Sequence, residues 1–385
     1  MDLRTGITGK TGDSRCNERR SRIEKELGAD LSALKPSAGS IGSADEKNCE
    51  QMLGHVPLPV GYAGPLSVTF SSGEKKDLHL PLATTEGALV ASVNRGCKAL
   101  SASGGVKTTS IHHGISRSIA FRGRGRKEIG QSASKWMPIA QATSGHLKVL
   151  KYDLDEADDF VFLTLFCDTD EAMGMNMVTI AAQAVGEWIE KNIDGLEFIT
   201  VAGNVDSDKK ASARVHTHGR GYEVTAEAIL TDDVIRDVLK STPEALLAVA
   251  DAKLKHGSKI AGTIGSNLHA ANIIAALYLA TGQDAAHVVE GSLTDTSVKA
   301  ASGGLKISVR CPAILVGLRG GGTTLPAQSQ CLEMLMKPKT SLHPKAQLAE
   351  SIGAAVLAGE ISLLAAQATH SLASAHGKLG RLQKN

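Results

Sequence analysis

Two short stretches of this chain contain side chains of the kinds that move protons and stabilise negative charge. In the first, Leu82–Gly96, Glu86 stands among small apolar residues, a setting in which a carboxylate can serve proton transfer. In the second, Asp208-Lys209-Lys210, two ammonium groups could meet an oxyanion and a carboxylate. Each stretch also has an ordinary explanation, a helix-stabilising glutamate and a solvated loop. Taken alone, each stretch favours its ordinary explanation over a catalytic role.

The pattern around Glu86 predicts a helix that opens at this carboxylate. Thr84 and Thr85 can cap free backbone N–H groups, and Glu86 suits the positive end of a helix. Apolar residues then recur on one side at helical spacing: Leu89, Val90 and Val93. Polar residues of the same element could hold a polar or phosphorylated ligand: Ser92, Asn94 and Arg95.

Capping residues, glycines and apolar periodicity predict the other elements. Helices are predicted at Ser14–Leu27, from Met175 to about Asn192, twice within residues 231–256 (the second with Thr242 as cap and Pro243 first), up to Ala280, and over Pro344–Ala375. Strands are predicted at Ser116–Arg122, Leu147–Leu154 and Asp159–Cys167. Ser37–Asp45 is predicted to be a flexible linker.

Composition indicates a soluble globular protein. The 385 residues are 42% hydrophobic and 21% charged, and they suffice for more than one domain. A net charge of +2 without a long basic face argues against a nucleic-acid partner. The long apolar stretch near the C-terminus is interrupted by Glu350 and Glu360, so no membrane span is expected. Six scattered cysteines without a Cys-x-x-Cys pair fit a reducing cytoplasm.

Three other motifs are rejected. Gly9-Lys10-Thr11 lacks the first glycine and the preceding strand of a P-loop. His112-His113 and His216-Thr217-His218 have no carboxylate or cysteine at ligand spacing, so no metal is expected.

The Glu86 stretch resembles a known family. Ala83–Gly87 followed by Ala91–Cys97 is similar to the catalytic glutamate segment of hydroxymethylglutaryl-CoA reductase, in its soluble, class I-like catalytic domain. Four further blocks resemble the same family in unbroken order within roughly residues 50–381: Thr169–Met177, Val201–Lys210, Leu268–Asn272 and Gly282–Asp284. Jointly these blocks are specific, although the glycine-rich turn Gly317–Thr324 is weak evidence by itself.

The resemblance implies roles for individual residues. The catalytic group would be Glu86, Lys209, Asp284 and His376, with Asp284 hydrogen-bonded between Glu86 and Lys209. The substrate would be held by Ser92, Asn94, Arg95, Arg117, Asp208, Lys210, Lys253, His269 and Asn272. The coenzyme would be held by Asp170, Glu171, Met173, Gly174, Met175, Asn176, Gly320 and Gly321.

The sequence departs from the family pattern at four places. Glu171 replaces an aspartate, Ala202 a substrate-contacting serine and Ala211 a proline. The segment before His269 is one residue shorter. The first departure concerns the choice between NADPH and NADH, and the others concern substrate affinity.

The expected fold is α+β, a large mostly helical substrate domain with an inserted small ferredoxin-like nucleotide-binding domain. A Rossmann domain is disfavoured because the chain has no Gly-x-Gly-x-x-Gly there. We expect an N-terminal helical and linker segment at 1–45, followed at 46–118 by the first part of the large domain with the CoA-substrate site. The small domain is expected at 119–200. The second part of the large domain, with the catalytic loop and aspartate, is expected at 201–369, and a C-terminal flap at 370–385.

The expected reaction is reduction of hydroxymethylglutaryl-CoA to mevalonate and CoA by two hydride transfers. NADPH is the expected coenzyme, with NADH not excluded. A homo-oligomer, a dimer or a dimer of dimers, is expected to share each site between subunits. Two alternatives stay open: a CoA-thioester hydrolase or substrate-altered reductase homologue, and a non-catalytic CoA- or nucleotide-binding protein.

Overall fold

The structure is a computed structural model, which describes residues 3, 5–6, 9–28 and 30–369. Its strands are β1 (Val60–Thr69), β2 (Lys75–Ala83), β3 (Val106–Arg122), β4 (Lys148–Ala157), β5 (Phe160–Asp168), β6 (Glu197–Thr200), β7 (Gly221–Thr231), β8 (Asp295–Ala301) and β9 (Gly304–Ile314). Its α-helices are α1 (Gly12–Leu27), α2 (Ala44–Lys47), α3 (Leu89–Ala102), α4 (Arg126–Gln131), α5 (Ala133–Ala142), α6 (Met175–Asn192), α7 (Ala213–His218), α8 (Asp232–Asp237), α9 (Pro243–Ala250), α10 (Ser258–Ala261), α11 (Ala270–Thr281), α12 (Val288–Gly291), α13 (Pro326–Met336) and α14 (Pro344–Ala368). A π-helical segment, Asp251–Gly257, follows α9.

One long strand, β3, belongs to two sheets. Its first half joins the sheet β2-β1-β3-β7-β9-β8, in which β1 and β3 are parallel and the other neighbours are antiparallel. Its second half, from Ile115, pairs antiparallel with β5 and β6, giving the order β4-β5-β3-β6. Between the halves lies Gly114, with φ of +83°, where a Cβ would come 3.0 Å from the Cys167 backbone. The expected division at residues 118/119 therefore falls inside a continuous strand.

Each sheet has its own hydrophobic core. The larger core includes residues of β1, β2, β7 and β9 packed with α3, α11 and α14, and the smaller includes residues of β3, β4 and β5 packed with α5 and α6. The structure is thus a mixed α+β fold. The larger part combines a six-stranded sheet with its helices.

Helix α14 runs through the larger core and is almost entirely buried. Among the described residues it is the one helix long and apolar enough to cross a membrane, and 94% of its apolar window is buried inside the protein. Its two glutamates are buried as well. Glu350 accepts hydrogen bonds from Ser71, Thr108 and Ser110, and Glu360 accepts them from the segment before α11. These bonds satisfy carboxylates that would otherwise oppose burial.

The predicted linker Ser37–Asp45 is instead packed. Ile41 and Ala44 are buried with Cys16 of α1 and with Met52. Asp45 is buried beside the guanidinium of Arg15, to which its carboxylate is 2.6 Å distant. The small-residue composition that suggested flexibility instead allows the close turns that cover α1.

Capping residues in the sequence predicted three helix boundaries correctly. Helix α1 ends at Gly28 in the left-handed conformation, and α11 ends at Gly282 in the same way. Helix α9 begins with Pro243, and the Thr242 hydroxyl accepts the N–H of Ala245. Strands β4 and β5 and helix α6 match their predicted ranges within three residues. Strand β3 is ten residues longer than predicted at its start.

The helix predicted to open at Glu86 begins three residues later, at Leu89. The preceding chain is still strand, because Ala83 pairs with Val60 across the ladder. The Thr84 hydroxyl accepts the N–H of Glu86 within a turn, 3.0 Å away, and Ala88 has a φ of +73°. Glu86 is therefore exposed in a turn between β2 and α3 rather than in a first helical turn.

Candidate active site

Lys209 and Asp284 form a close ion pair. The Lys209 Nζ lies 2.7 Å from the Asp284 Oδ2, and both side chains are partly exposed. Lys209 lies in the loop between β6 and α7, and Asp284 follows the glycine that ends α11. Burial raises the pKa of Asp284, but the hydrogen bonds from Lys209 and from the backbone N–H of Ala286 outweigh it and hold the pKa below its usual range. The Asp284 carboxylate is therefore ionised at neutral pH.

A buried carboxylate holds the backbone of Lys209 in position. Lys209 has a φ of +57°, and its N–H donates to the Glu290 Oε1 over 3.0 Å. Glu290 is fully buried, accepts a hydrogen bond from Arg220 and lies 2.8 Å from the His287 Nδ1. The left-handed conformation of Lys209 is thus stabilised by this contact.

A second layer of ion pairs supports the same loop. The Arg117 Nη1 lies 3.2 Å from the Asp206 Oδ2 and 3.5 Å from the Asp208 Oδ2. The Arg220 Nη1 lies 3.0 Å from the Asp208 Oδ1. Burial raises the pKa of Asp206 despite these cations, whereas for Asp208 the cations outweigh burial and lower the pKa. Arg117, Asp208 and Lys209 line the same cavity.

Ligand atoms of Asp208, His287 and Glu290 lie within 4.8 Å of one another, a spacing that could hold a metal ion. The guanidinium of Arg220, however, binds both carboxylates. Since a cation already pairs with this group of anions, we interpret it as an ion-pair network rather than a metal centre.

The ion pair opens into a cavity of about 750 Å³. Predicted catalytic, substrate and coenzyme residues all contribute to its wall: Arg117, Met173, Gly174, Met175, Asn176, Asp208, Lys209, Asp284, Gly320 and Gly321. Asn48 from the N-terminal segment also lines it, and the motif search did not identify that residue. The structure thus brings together six separate stretches of the sequence.

The cavity wall suits a phosphate-containing nucleotide. Helix α6 begins there after Gly174 without a side-chain cap, so its N–H groups are available to an anion. Gly320 and Gly321 face open space, with no atom within 4 Å of an added Cβ. A Cβ at Gly317 would overlap the backbone nitrogen of Met173, so the two wall segments pack directly against each other. Backbone therefore forms much of this surface.

The two acidic residues at the start of the coenzyme segment are held by partners. Asp170 has a φ of +53°, and its Oδ2 lies 3.0 Å from the His146 Nδ1. Glu171 pairs with Arg319, a residue of the opposite wall. The predicted Asp170 and Glu171 therefore lie at the edge of the cavity, while Ala172–Met177 line it.

Glu86 lies elsewhere, at the other end of α11. Its Oε2 accepts a hydrogen bond of 2.6 Å from the amide of Asn272, in the first turn of that helix. Asp284 lies just past the last turn, so the two sites are roughly 15 Å apart along the helix axis. The predicted hydrogen bond between Glu86 and Asp284 is absent from the described part of the chain, because α11 separates the two residues.

The remaining predicted substrate residues have varied surroundings. The Ser92 hydroxyl and the Arg95 guanidinium bind Ser362 of α14, and the Asn94 amide oxygen accepts the N–H of Gly64. His269 precedes α11, with its N–H on Glu360 and its buried Nε2 without a hydrogen-bond partner. Lys253 is half-buried in the π-helical segment, and the exposed Lys210 binds a backbone oxygen. His376 lies outside the described residues.

Comparison with known proteins decides the family. The model of the hydroxymethylglutaryl-coenzyme A reductase family matches residues 15–381. This chain belongs to that family. It is 39% identical to the 3-hydroxy-3-methylglutaryl-coenzyme A reductase of Methanocaldococcus jannaschii over 382 residues, 94% of this chain and 92% of the relative. It is 38% identical to reductase 1 of Dictyostelium discoideum over 384 residues, 95% of this chain and 68% of the relative.

A solved reductase has a similar fold. The class II 3-hydroxy-3-methylglutaryl-CoA reductase of Streptococcus pneumoniae, bound to NADPH, superimposes with a TM-score of 0.69 at 17% identity. The match covers 94% of this chain and 99% of that one. Membership of the reductase family, an oxidoreductase family, confirms the resemblance seen in the sequence.

The family motifs do not include the groups that support the lysine loop of this reductase-family chain. Arg220, His287 and Glu290 are fully or almost fully buried, yet none stands in a recognised block. The sequence gives only a weak indication of these residues. His287 and Glu290 flank two valines, a pattern that suggests charged side chains at an apolar surface.

Proposed function

We propose that this chain reduces hydroxymethylglutaryl-CoA to mevalonate and CoA, with NADPH as reductant. The observation that carries the proposal is the Lys209–Asp284 ion pair, 2.7 Å long, in the wall of a cavity that also contains Ala172–Met177 and Gly320–Gly322. A charged amine beside a nucleotide-sized cavity fits reduction of a carbonyl group. Family membership supplies the substrate.

Lys209 stabilises the negative oxygen that develops when a carbonyl group is reduced. When bound, the reduced nicotinamide supplies hydride to that carbonyl carbon. Because the ion pair with Asp284 fixes the direction of the Lys209 side chain, the ammonium group is oriented before the reaction begins. The cavity beside α6 and the glycine turn holds the coenzyme phosphates by backbone N–H groups. Asp170 and Glu171 shape its edge.

Other residues hold the substrate and complete proton transfer. Arg117, which lines the same cavity as Lys209, binds the substrate carboxylate and neighbouring oxygens together with Lys210 and Lys253. His376 protonates the departing CoA thiolate, since a histidine titrates near neutral pH. Glu86 supplies the proton for collapse of the hemithioacetal, aided by the amide of Asn272.

Glu86 can act with Lys209 only if a second copy of the chain completes each site. Within one chain the two residues lie near opposite ends of α11. We therefore propose a homodimer, or a dimer of dimers, in which Glu86 of one copy joins Lys209 of the other. Exposed apolar residues before and in β1 support such a contact: Val56, Leu58, Val60 and Tyr62.

We further propose that residues 119–200 form a ferredoxin-like nucleotide-binding domain inserted between residues 46–118 and 201–369. In support, the elements from the second half of β3 to β6 run β-α-β-β-α-β, with the two short helices α4 and α5 in the first helical position. The strand order β4-β5-β3-β6 is antiparallel throughout. This is the arrangement called split βαβ.

The relatives support three finer proposals. Identities of 38–39% to archaeal and Dictyostelium reductases, against 17% to the class II structure, favour a class I-like chain. NADPH is favoured because the structurally similar reductase is bound to it, with NADH not excluded. All six cysteines are free, which supports a soluble cytoplasmic protein.

The deciding experiment follows the absorbance of NADPH, and separately of NADH, when hydroxymethylglutaryl-CoA is added. We expect two coenzymes oxidised for each CoA released. Release of CoA without coenzyme oxidation would identify a thioester hydrolase. If neither occurs although coenzyme and thioester bind, the protein is a non-catalytic binder and the proposal is wrong.

A further inference from the structure

A buried histidine lies directly behind the Lys209–Asp284 pair. His287 is fully buried in the 3₁₀ turn that follows Asp284. Its Nδ1 lies 2.8 Å from the Glu290 Oε2, and its Nε2 lies 3.8 Å from the Asp284 Oδ2. Within the part of the chain that the structure describes, that Nε2 has no hydrogen-bond partner. The oxygen it faces is the one that Lys209 holds.

The contacts of Glu290 determine which ring nitrogen carries the proton of a neutral His287. Glu290 accepts hydrogen bonds from Arg220 and from the Lys209 N–H, so it serves as an acceptor. The His287 Nδ1 must therefore donate to it. The neutral ring then has an unprotonated Nε2 that faces the Asp284 carboxylate, two acceptors with no proton between them. A second proton, at Nε2, would convert this contact into a hydrogen bond.

The negative groups around His287 outnumber the positive ones, so a second proton on the ring would be balanced by a carboxylate. Carboxylates face the ring from three elements, at distances of 2.8 to 3.9 Å: Asp208, Asp284 and Glu290. Two cations, Arg220 and Lys209, pair with these carboxylates, and Arg117 is shared between Asp208 and a fourth carboxylate, Asp206. The buried Tyr278 of α11 interacts with Asp284 and Glu290, and burial raises its pKa above the usual range, so its hydroxyl adds no charge. Four anions thus meet three cations.

We propose that His287 is a positioning residue that stores a proton at Nε2 for the Lys209–Asp284 pair. When Lys209 gives its proton to the developing substrate oxygen, the Nε2 proton passes to the Asp284 Oδ2 and a proton passes from Asp284 to the Lys209 Nζ. Lys209 ends charged and His287 ends neutral, so one proton has moved and no other bond has changed. The reaction it serves rests on the proposed function, whereas the proton site does not.

His287→Asn tests the proposal, because an asparagine amide takes the place of Nδ1 and keeps the bond to Glu290 but has no group at Nε2. We expect coenzyme affinity and KM close to those of the parent chain and a kcat at least about tenfold lower. The pH profile is measured with free mevaldehyde, whose reduction expels no thiolate and so does not need His376. The parent should lose kcat on the alkaline side, and the variant should not. A variant with the kcat of the parent, or with the same alkaline loss, overturns the proposal.

The matched control is His216→Gln. The His216 Nε2 lies 2.7 Å from the Asp295 Oδ2, a similar histidine–carboxylate contact outside the cavity, and glutamine keeps a donor there. We expect this variant to retain the pH profile of the parent. A profile altered equally in both variants would show that the effect is general to histidine–carboxylate pairs and would overturn the assignment to His287.

A second measurement does not need turnover. NMR of protein labelled in the histidine ring nitrogens follows the protonation of His287, whose signal is assigned by its loss in His287→Asn or His287→Gln. Asp284→Asn removes a negative neighbour, so the titration midpoint of His287 should fall. An unchanged midpoint overturns the proton site even if the parent is active. An inactive parent with a shifted midpoint overturns only the proposed function.

Discussion

At the residue scale, the proposed chemistry depends on the ammonium group of Lys209. Removing it in Lys209→Ala takes away a cation aimed at the developing negative oxygen, so we expect turnover to fall by roughly 10²–10³-fold or more. The thermal unfolding midpoint should change little, because the lysine side chain is 41% exposed. Steady-state kinetics and calorimetry measure both quantities. Lys135→Ala, at an exposed position of α5, is the control, and near-parental turnover in Lys209→Ala would exclude the assigned role.

Single residues were predictable where short blocks carried them. Glu86, Lys209 and Asp284 were found in this way, and the structure confirms the contact between Lys209 and Asp284. Arg220 and Glu290 were not found, because they are 70 residues apart and only the fold brings them together. A buried ion pair of this kind leaves no local pattern in a sequence.

At the element scale, the glycine turn after β9 is packed against the segment that precedes α6. Gly317→Ala would place a methyl group onto the Met173 backbone, so the turn must shift. We expect coenzyme to bind at least about tenfold more weakly and the protein to lose about 1–3 kcal/mol of stability. Fluorescence titration and denaturant unfolding measure these changes. Gly145→Ala, where a Cβ meets nothing within 4 Å, should alter neither. Unchanged coenzyme affinity in Gly317→Ala would separate this turn from the coenzyme site.

Helix α14 depends on a buried carboxylate for its place against the sheet. Glu350 is fully buried and accepts hydrogen bonds from Ser71, Thr108 and Ser110. Glu350→Ala leaves these donors unpaired, so we expect a loss of about 3 kcal/mol or more, and less in Glu350→Gln. Denaturant unfolding measures it, with the exposed Glu333→Ala as control. Equal stability of Glu350→Ala and Glu333→Ala would contradict this account.

Element ends were predictable where the signal was local. Gly28, Thr242 and Gly282 end or begin helices through their own backbone or hydroxyl groups. The predicted start of α3 was wrong because a long-range contact determines where the helix begins. That contact is the pairing of Ala83 with Val60, which extends β2. The packed segment before Met52 was missed for the same reason, since its partner is α1.

At the scale of the whole molecule, β3 and α11 determine where the chemistry is placed. Strand β3 links the two sheets, so the proposed coenzyme domain is joined to the larger core by a continuous strand. Helix α11 holds Asn272 at one end and leads to Asp284 at the other. The sequence order of these residues was visible, but their separation in space was not. This separation is the basis of our proposal that a site using both Glu86 and Lys209 takes them from two copies of the chain.

Mixing two inactive variants tests that conclusion. Glu86→Gln and Lys209→Ala should each be inactive alone. After dissociation and reassociation, a mixed dimer has one site with both substitutions and one site with neither, because each site takes Glu86 from one chain and Lys209 from the other. Random mixing makes half of the dimers mixed, so about a quarter of parental activity should return. If each chain had a complete site of its own, every site would carry one substitution and no activity would return. A fully active monomer in light scattering would contradict the shared site independently.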